Sequence, residues 1–269
     1  MTRLHRPAVR TVLAIFACAW TLPCTAQWLG YPTPGVPRTK DGKPNLSAPA
    51  PRTADGKPDL SGLWEPDAGA SGFSDTPIPA TFTNIAAGRK ELLPMRPWAA
   101  DLFKTRQANN GNGGPDPTCQ PLGLVYVHSH PYPRKVLQLP GLVAILFEKN
   151  GQFRQIFTDG RPLPKDPNPS FYGYSSGKWQ GDTLLVETTG FRDDLWLDAG
   201  GHPLTEAAKV TERFRRTDFG HLEIELTVDD LKAYTAPWTV KLTQHIKLNS
   251  ELLEYYCENE KDAPHLVAK

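Results

Sequence analysis

Along the second half of the chain, apolar and polar residues alternate with the period of two that marks a β-strand with one buried face. Val240, Leu242, Gln244, Ile246 and Leu248 fall on one side of a strand, and Lys241, Thr243, His245 and Lys247 on the other. Leu222, Ile224 and Leu226 point inward by the same rule, leaving His221, Glu223 and Glu225 outward, and Phe153, Gln155 and Phe157 also read as inward. Turn residues sit at the bends between such runs. Pro140-Gly141 separates 135–139 from 142–148, and Asn150-Gly151 joins that run to 152–158. Gly181-Asp182 links 173–180 to 183–190, Asp218-Phe219-Gly220 links 209–217 to 221–228, and Asn249-Ser250 links 239–248 to 251–257. Five hairpins predict an antiparallel meander of about ten strands, wide enough to close into a barrel and so remove its open edges.

The helical period occurs once. Pro97 stands at a first-turn position, and Trp98, Leu102 and Phe103 share a face, predicting a helix near 97–108. The run Asn109–Pro115 ends it; without a preceding strand or a G-x-x-x-x-G-K-[ST] pattern it reads as a linker. Residues 27–60 are rich in Pro, Gly and Lys and predict a tether. They contain a short repeat: 37–47 (PRTKDGKPNLS) returns fourteen residues later as 51–61 (PRTADGKPDLS). Its Asp-Gly and Lys-Pro pairs favour turns, which suits a spacer, with a docking motif as the alternative.

Composition narrows the function. A formal net charge of +1, from 30 basic and 29 acidic residues, leaves no field for nucleic acid. The first 26 residues read as an export signal. A basic stretch with Arg3, Arg6 and Arg10 precedes apolar Thr11–Leu22, too short to span a bilayer core of roughly 30 Å, and small residues precede a cleavage point after Ala26. The mature chain, residues 27–269, is then periplasmic or secreted and is not anchored in a membrane. It keeps only Cys119 and Cys257, which an oxidising compartment would pair.

Two resemblances follow from particular residues. Gly62-Leu63-Trp64 ahead of a β meander resembles the G-x-W signature of lipocalins and related calycin barrels; it implies a cup-shaped barrel, 61–269, holding a small apolar ligand. The segments 53–64 (TADGKPDLSGLW), 153–164 (FRQIFTDGRPLP), 181–191 (GDTLLVETTGF), 210–216 (VTERFRR) and 252–260 (LLEYYCENE) resemble a family of uncharacterised secreted bacterial proteins. That second resemblance implies export and a β fold, and brings no catalytic residues.

Candidate chemistry comes from polar groups where apolar ones are expected, and from two long connections, 159–172 and 191–208. Glu212, between Val210 and Phe214, is a carboxylate on an apolar face: a general acid or base, or half of an internal ion pair with Arg154 or Arg213. Gln155 and Gln244 are polar handles for a ligand. Arg161, Tyr172 and nearby Tyr174 come from the first connection, and Trp196, Asp198 and His202 from the second. If both connections rim one opening, His202 and Asp198 join Glu212 as catalytic candidates, and the aromatics and Arg161 as ligand contacts. His128 and His130 share one side of an expected strand and are weak metal candidates needing a third ligand. No cofactor fingerprint, G-x-S-x-G elbow or H-E-x-x-H motif is present. The chain therefore reads as a binder of a small, largely apolar or aromatic molecule, able to transform it without a cofactor. The alternatives are an enzyme proper (lyase, isomerase or hydrolase) and an interaction module docking through its repeat.

Overall fold

The computed structural model describes residues 31–66, 84–87, 89 and 91–257; the expected export signal lies outside them. The elements are β1 (Gly62–Pro66), α1 (Pro97–Ala108), α2 (Leu124–Ser129), β2 (Arg134–Leu139), β3 (Leu142–Phe147), β4 (Phe153–Phe157), β5 (Tyr174–Gln180), β6 (Thr183–Thr189), β7 (Leu195–Trp196), β8 (Pro203–Leu204), β9 (Lys209–Arg216), β10 (His221–Asp229) and β11 (Trp238–Ile246). Nine strands close into a barrel in the order β1-β11-β10-β9-β6-β5-β4-β3-β2, and β7 and β8 form a separate two-stranded ribbon. The fold is mainly β, as the alternation predicts.

Four of the five predicted hairpins form: β2–β3, β3–β4, β5–β6 and β9–β10. Asn150 and Gly151 both have positive φ (59° and 57°), a conformation Asn and Gly tolerate best, and Gly151 N–H closes the turn by donating to Glu148 O at 3.3 Å. The fifth hairpin does not form. Beyond Asn249 the chain leaves the sheet, touches Lys149 through Tyr255, and reaches Cys257, bonded to Cys119 with a Cα–Cα distance of 5.4 Å. The place beside β11 is taken by β1, whose Trp64 faces Ile246 on one side and Arg134 on the other. The antiparallel pattern also breaks once: β4 and β5 are parallel, because the 159–172 connection turns the chain back before β5 sets off in the same direction as β4.

Most predicted strand faces hold. Leu222, Ile224, Leu226, Val240, Leu242, Gln244 and Ile246 are buried. β4 is the exception. Phe153 is 63% exposed and Gln155 is exposed, while Arg154 and Ile156 are buried, so the strand sits one residue out of the predicted phase. Its outward Phe157 is covered by Arg161, whose guanidinium lies 3.9 Å from the ring centre. A second helix, α2, stands where a strand carrying His128 and His130 was expected. All six of its residues are buried, and its C-terminal end enters the barrel. In α1, Ala99 is the buried residue and Trp98 is half exposed, its indole donating to the Lys232 carbonyl at 2.9 Å.

The repeat adopts one turn twice. Thr39 N–H donates to Lys43 O and Thr53 N–H to Lys57 O, both at 2.9 Å, and Arg38 and Arg52 each donate to the glycine carbonyl four residues on. The segment is docked rather than free-running. Gly220 N–H donates to Leu46 O and Phe219 N–H to Ala48 O, Arg52 pairs with Asp182, and Leu60 is buried. Below it Trp64 is fully buried, donating to Leu60 O at 3.0 Å, with the Arg216 guanidinium 4.9 Å above its ring.

Candidate functional site

Two groupings bring candidate residues together. The first lies inside the barrel, where strand alternation aims Glu212 on β9 and Arg154 on β4 at one another. Arg154 donates to Glu212 through both terminal nitrogens, one at 3.0 Å, and to Ser175 and Thr188 Oγ atoms at 3.0 and 3.1 Å. His128 Nε2 lies 2.7 Å from Glu212 Oε1, and Arg134 Nη1 lies 3.4 Å from His128 Nδ1. A guanidinium cannot accept, so Nδ1 accepts from Arg134 and Nε2 carries the proton donated to Glu212. Burial pushes the imidazole pKa down from 6.5, in keeping with that neutral tautomer. Burial alone would raise the Glu212 carboxyl, but Arg154 and His128 hold it at about 2. It is a permanently charged ion-pair partner at neutral pH, not a group poised to exchange protons.

Arg134 anchors α2, donating to the carbonyls of His128 and His130 at 3.0 and 3.1 Å. A cation at a helix C-terminus satisfies carbonyls that have no intrahelical partner. Gln244 adds a bond to His128 O at 3.3 Å. Burial brings the Arg134 pKa down to about 9, still charged at neutral pH. This network ties α2 to β2, β4, β9 and β11 and occupies the lumen around it.

The second grouping is outside the barrel wall, where the two long connections meet. Ser170 bridges Phe191, and a pocket of about 300 Å³ opens between the connections and the 106–122 segment. Its walls include Arg106, Gln120, Leu122, Phe171, Asp194 and Trp196. The glycine run read as a linker is part of that wall. A Cβ on Gly114 would lie 2.9 Å from the Trp196 ring, and one on Gly111 the same distance from Ala199 O. Only residues without a Cβ let this loop lie so close over the indole. The Arg106 guanidinium stacks 4.4 Å from the Trp196 ring centre and donates to Gly201 O at 3.0 Å. Cys119 adjoins Gln120, so the disulfide to Cys257 fixes one side of the pocket.

The other candidates are dispersed. Asp198 and His202 form a buried pair, Nδ1 to Oδ2 2.6 Å, and Asp198 also accepts from the backbones of Ile85, Gly201 and His202. With the His202 ring stacked 4.0 Å from Phe103, the pair fixes the turn between β7 and β8; neither residue lines the pocket. Tyr172 stacks on Phe147 and donates its hydroxyl to Gln152. Tyr174 lies at the exposed start of β5, and Arg161 is held by Asp159 at 2.6 Å. Gln155 faces outward from the barrel. His128 and His130 serve different acids, His130 Nε2 lying 3.5 Å from Asp116, and among the described residues no group of three or more His, Cys, Asp or Glu is arranged to hold a metal.

Sequence reasoning missed Arg106 and Arg134. Arg154 was legible only as one possible partner of Glu212, and the signal for Arg106 was the neighbouring glycine run. Comparison with protein-family models, curated proteins and solved structures returned no match for this chain.

Proposed function

We propose that this is an exported protein that binds a small molecule in the pocket outside the barrel wall. The observation that carries the reading is convergence. Three separate segments, around Arg106, Phe171 and Trp196, build one concave site with an aromatic wall, an amide and a charge. A volume of about 300 Å³ suits a compact ligand. Export is supported by the disulfide, which is at home in an oxidising compartment. Binding is favoured over chemistry because the titratable groups on the pocket wall are Arg106 and Asp194, and Asp194 is tied to Arg192 at 2.9 Å.

The test is mass spectrometry of small molecules that co-purify with the full chain from the exported fraction, beside a Trp196→Ala variant. A molecule retained by the wild type and lost from the folded variant supports the site. Identical profiles from both proteins refute it.

A further inference from the structure

Resting on that pocket, we propose that its ligand is a small organic anion, a carboxylate whose charge is taken by Arg106. The pocket wall carries one acid and one base, Asp194 and Arg106, and they form no ion pair with each other. Asp194 accepts two bonds from Arg192, Nε at 3.0 Å and Nη2 at 2.9 Å, a closed bidentate pair with no net charge. Arg106 has no carboxylate within ion-pair distance among the described residues; its one hydrogen bond goes to a neutral carbonyl, Gly201 O. Asp194 and Asp198 act on Arg106 through space, but neither bonds to it, which leaves its guanidinium the pocket's available cation.

That guanidinium is also held in place. Its plane rests on Trp196, and its stem crosses Gly201 so closely that a Cβ there would lie 2.7 Å from the Arg106 Cβ. Gly201 has φ +97°, so that crossing is built into a backbone that disfavours any other residue. Partial burial lowers the Arg106 pKa to about 10, leaving the group charged at neutral pH while stripping it of water. A stacked guanidinium with one nitrogen anchored keeps its remaining N–H donors for a planar acceptor, and carboxylate matches that fork. Trp196 and Phe171 flank the charge and favour an organic body on the anion over a bare inorganic ion.

The experiment titrates the full, oxidised chain with matched acid and amide pairs, benzoate with benzamide, 2-naphthoate with 2-naphthamide and hexanoate with hexanamide. Tryptophan fluorescence and thermal shift report binding. In at least one pair the acid should bind about 10-fold or more tightly than its amide, and added NaCl should narrow the gap. Arg106→Gln should erase the preference, while Arg106→Lys, which retains the charge, should keep part of it. If Arg106→Gln does not fold, as judged by circular dichroism, the lysine variant and the salt series decide. Acid and amide binding equally, with both lost in Trp196→Ala, would overturn the anion proposal and leave the pocket standing. No binding by any pair up to about 10 mM, or binding unchanged in both Trp196→Ala and Arg106→Gln, would overturn the pocket reading itself.

Discussion

Replacing Glu212 by Gln removes one negative charge from the barrel interior and keeps nearly the same shape. What remains is Arg154, its side chain 1% exposed, with Ser175 and Thr188 hydroxyls as its other partners. Two routes give the size of the loss. A carboxyl held at about 2 instead of 4.5 is favoured in its charged form by about 3 kcal/mol at 1.36 kcal/mol per unit. Breaking one side of a buried ion pair costs about 3–5 kcal/mol in general, because the other charge stays buried without compensation. The two agree, so urea unfolding of Glu212→Gln should show a loss of about 3–5 kcal/mol. With a slope of about 1–3 kcal/mol per M, the midpoint falls by at least about 1 M. Removing both charges, as in Glu212→Leu with Arg154→Met, should restore much of the loss. A Glu212→Gln loss below about 1 kcal/mol, or a double variant no better than the single, would refute the view that this pair is the electrostatic tie of the lumen.

Acid should unfold the protein in two stages. Burial depresses the folded pKa values of His128 and His130 below 6.5, so the unfolded chain binds protons that the folded chain refuses. Stability is full above that pH and falls as pH drops below it, by up to about 1.4 kcal/mol per pH unit for each imidazole. A second loss follows below 4.5 as protonation of Glu212 gives up its ion pair, and Glu212→Gln should make that limb shallower, leaving the part due to Asp116, also held at about 2. A urea midpoint unchanged between pH 7 and 5 would contradict the buried neutral imidazoles. Reducing Cys119–Cys257 frees a loop closed across 138 residues and should cost about 5 kcal/mol on the chain-entropy account, measured with and without dithiothreitol. Reduction should also speed hydrogen exchange around Gln120, on the pocket wall. Gly114→Ala should displace the loop over Trp196 and cost about 1–3 kcal/mol, read as a lower melting temperature and a shifted tryptophan emission; a variant that melts with the wild type would show that the loop can retreat freely.

The strands and their turns were legible because both are local. A period of two, with Asn-Gly or Pro-Gly at the bend, uses only neighbouring residues, and it placed β2, β3, β5, β6, β9 and β10. β4 misled because Phe153 and Phe157 look like core, while Arg154 goes inside only because Glu212, 58 residues on, meets it there. The run at α2 carries no polar face, since the helix is covered on every side, so periodicity had nothing to report. His128 was visible as a histidine but not as the neutral donor to Glu212, a role fixed by Arg134 on its other nitrogen.

Which strands close the barrel, and where the pocket lies, belong to the tertiary structure. Nothing near residues 62–66 announces that β1 will pair with both β11 and β2, or that the Cys119–Cys257 bond will draw the last segment away from the sheet. The pocket is built from the end of α1 with the glycine run after it and from the two long connections, none of which by itself shows where the others will lie. Local pattern was enough for a β chain with turns at known bends, one carboxylate on an apolar face and a cysteine pair. Which charges face one another, and where the Arg106 guanidinium meets an aromatic wall, followed only once distant segments packed, because Coulomb and packing energies depend on distance in space and not along the chain.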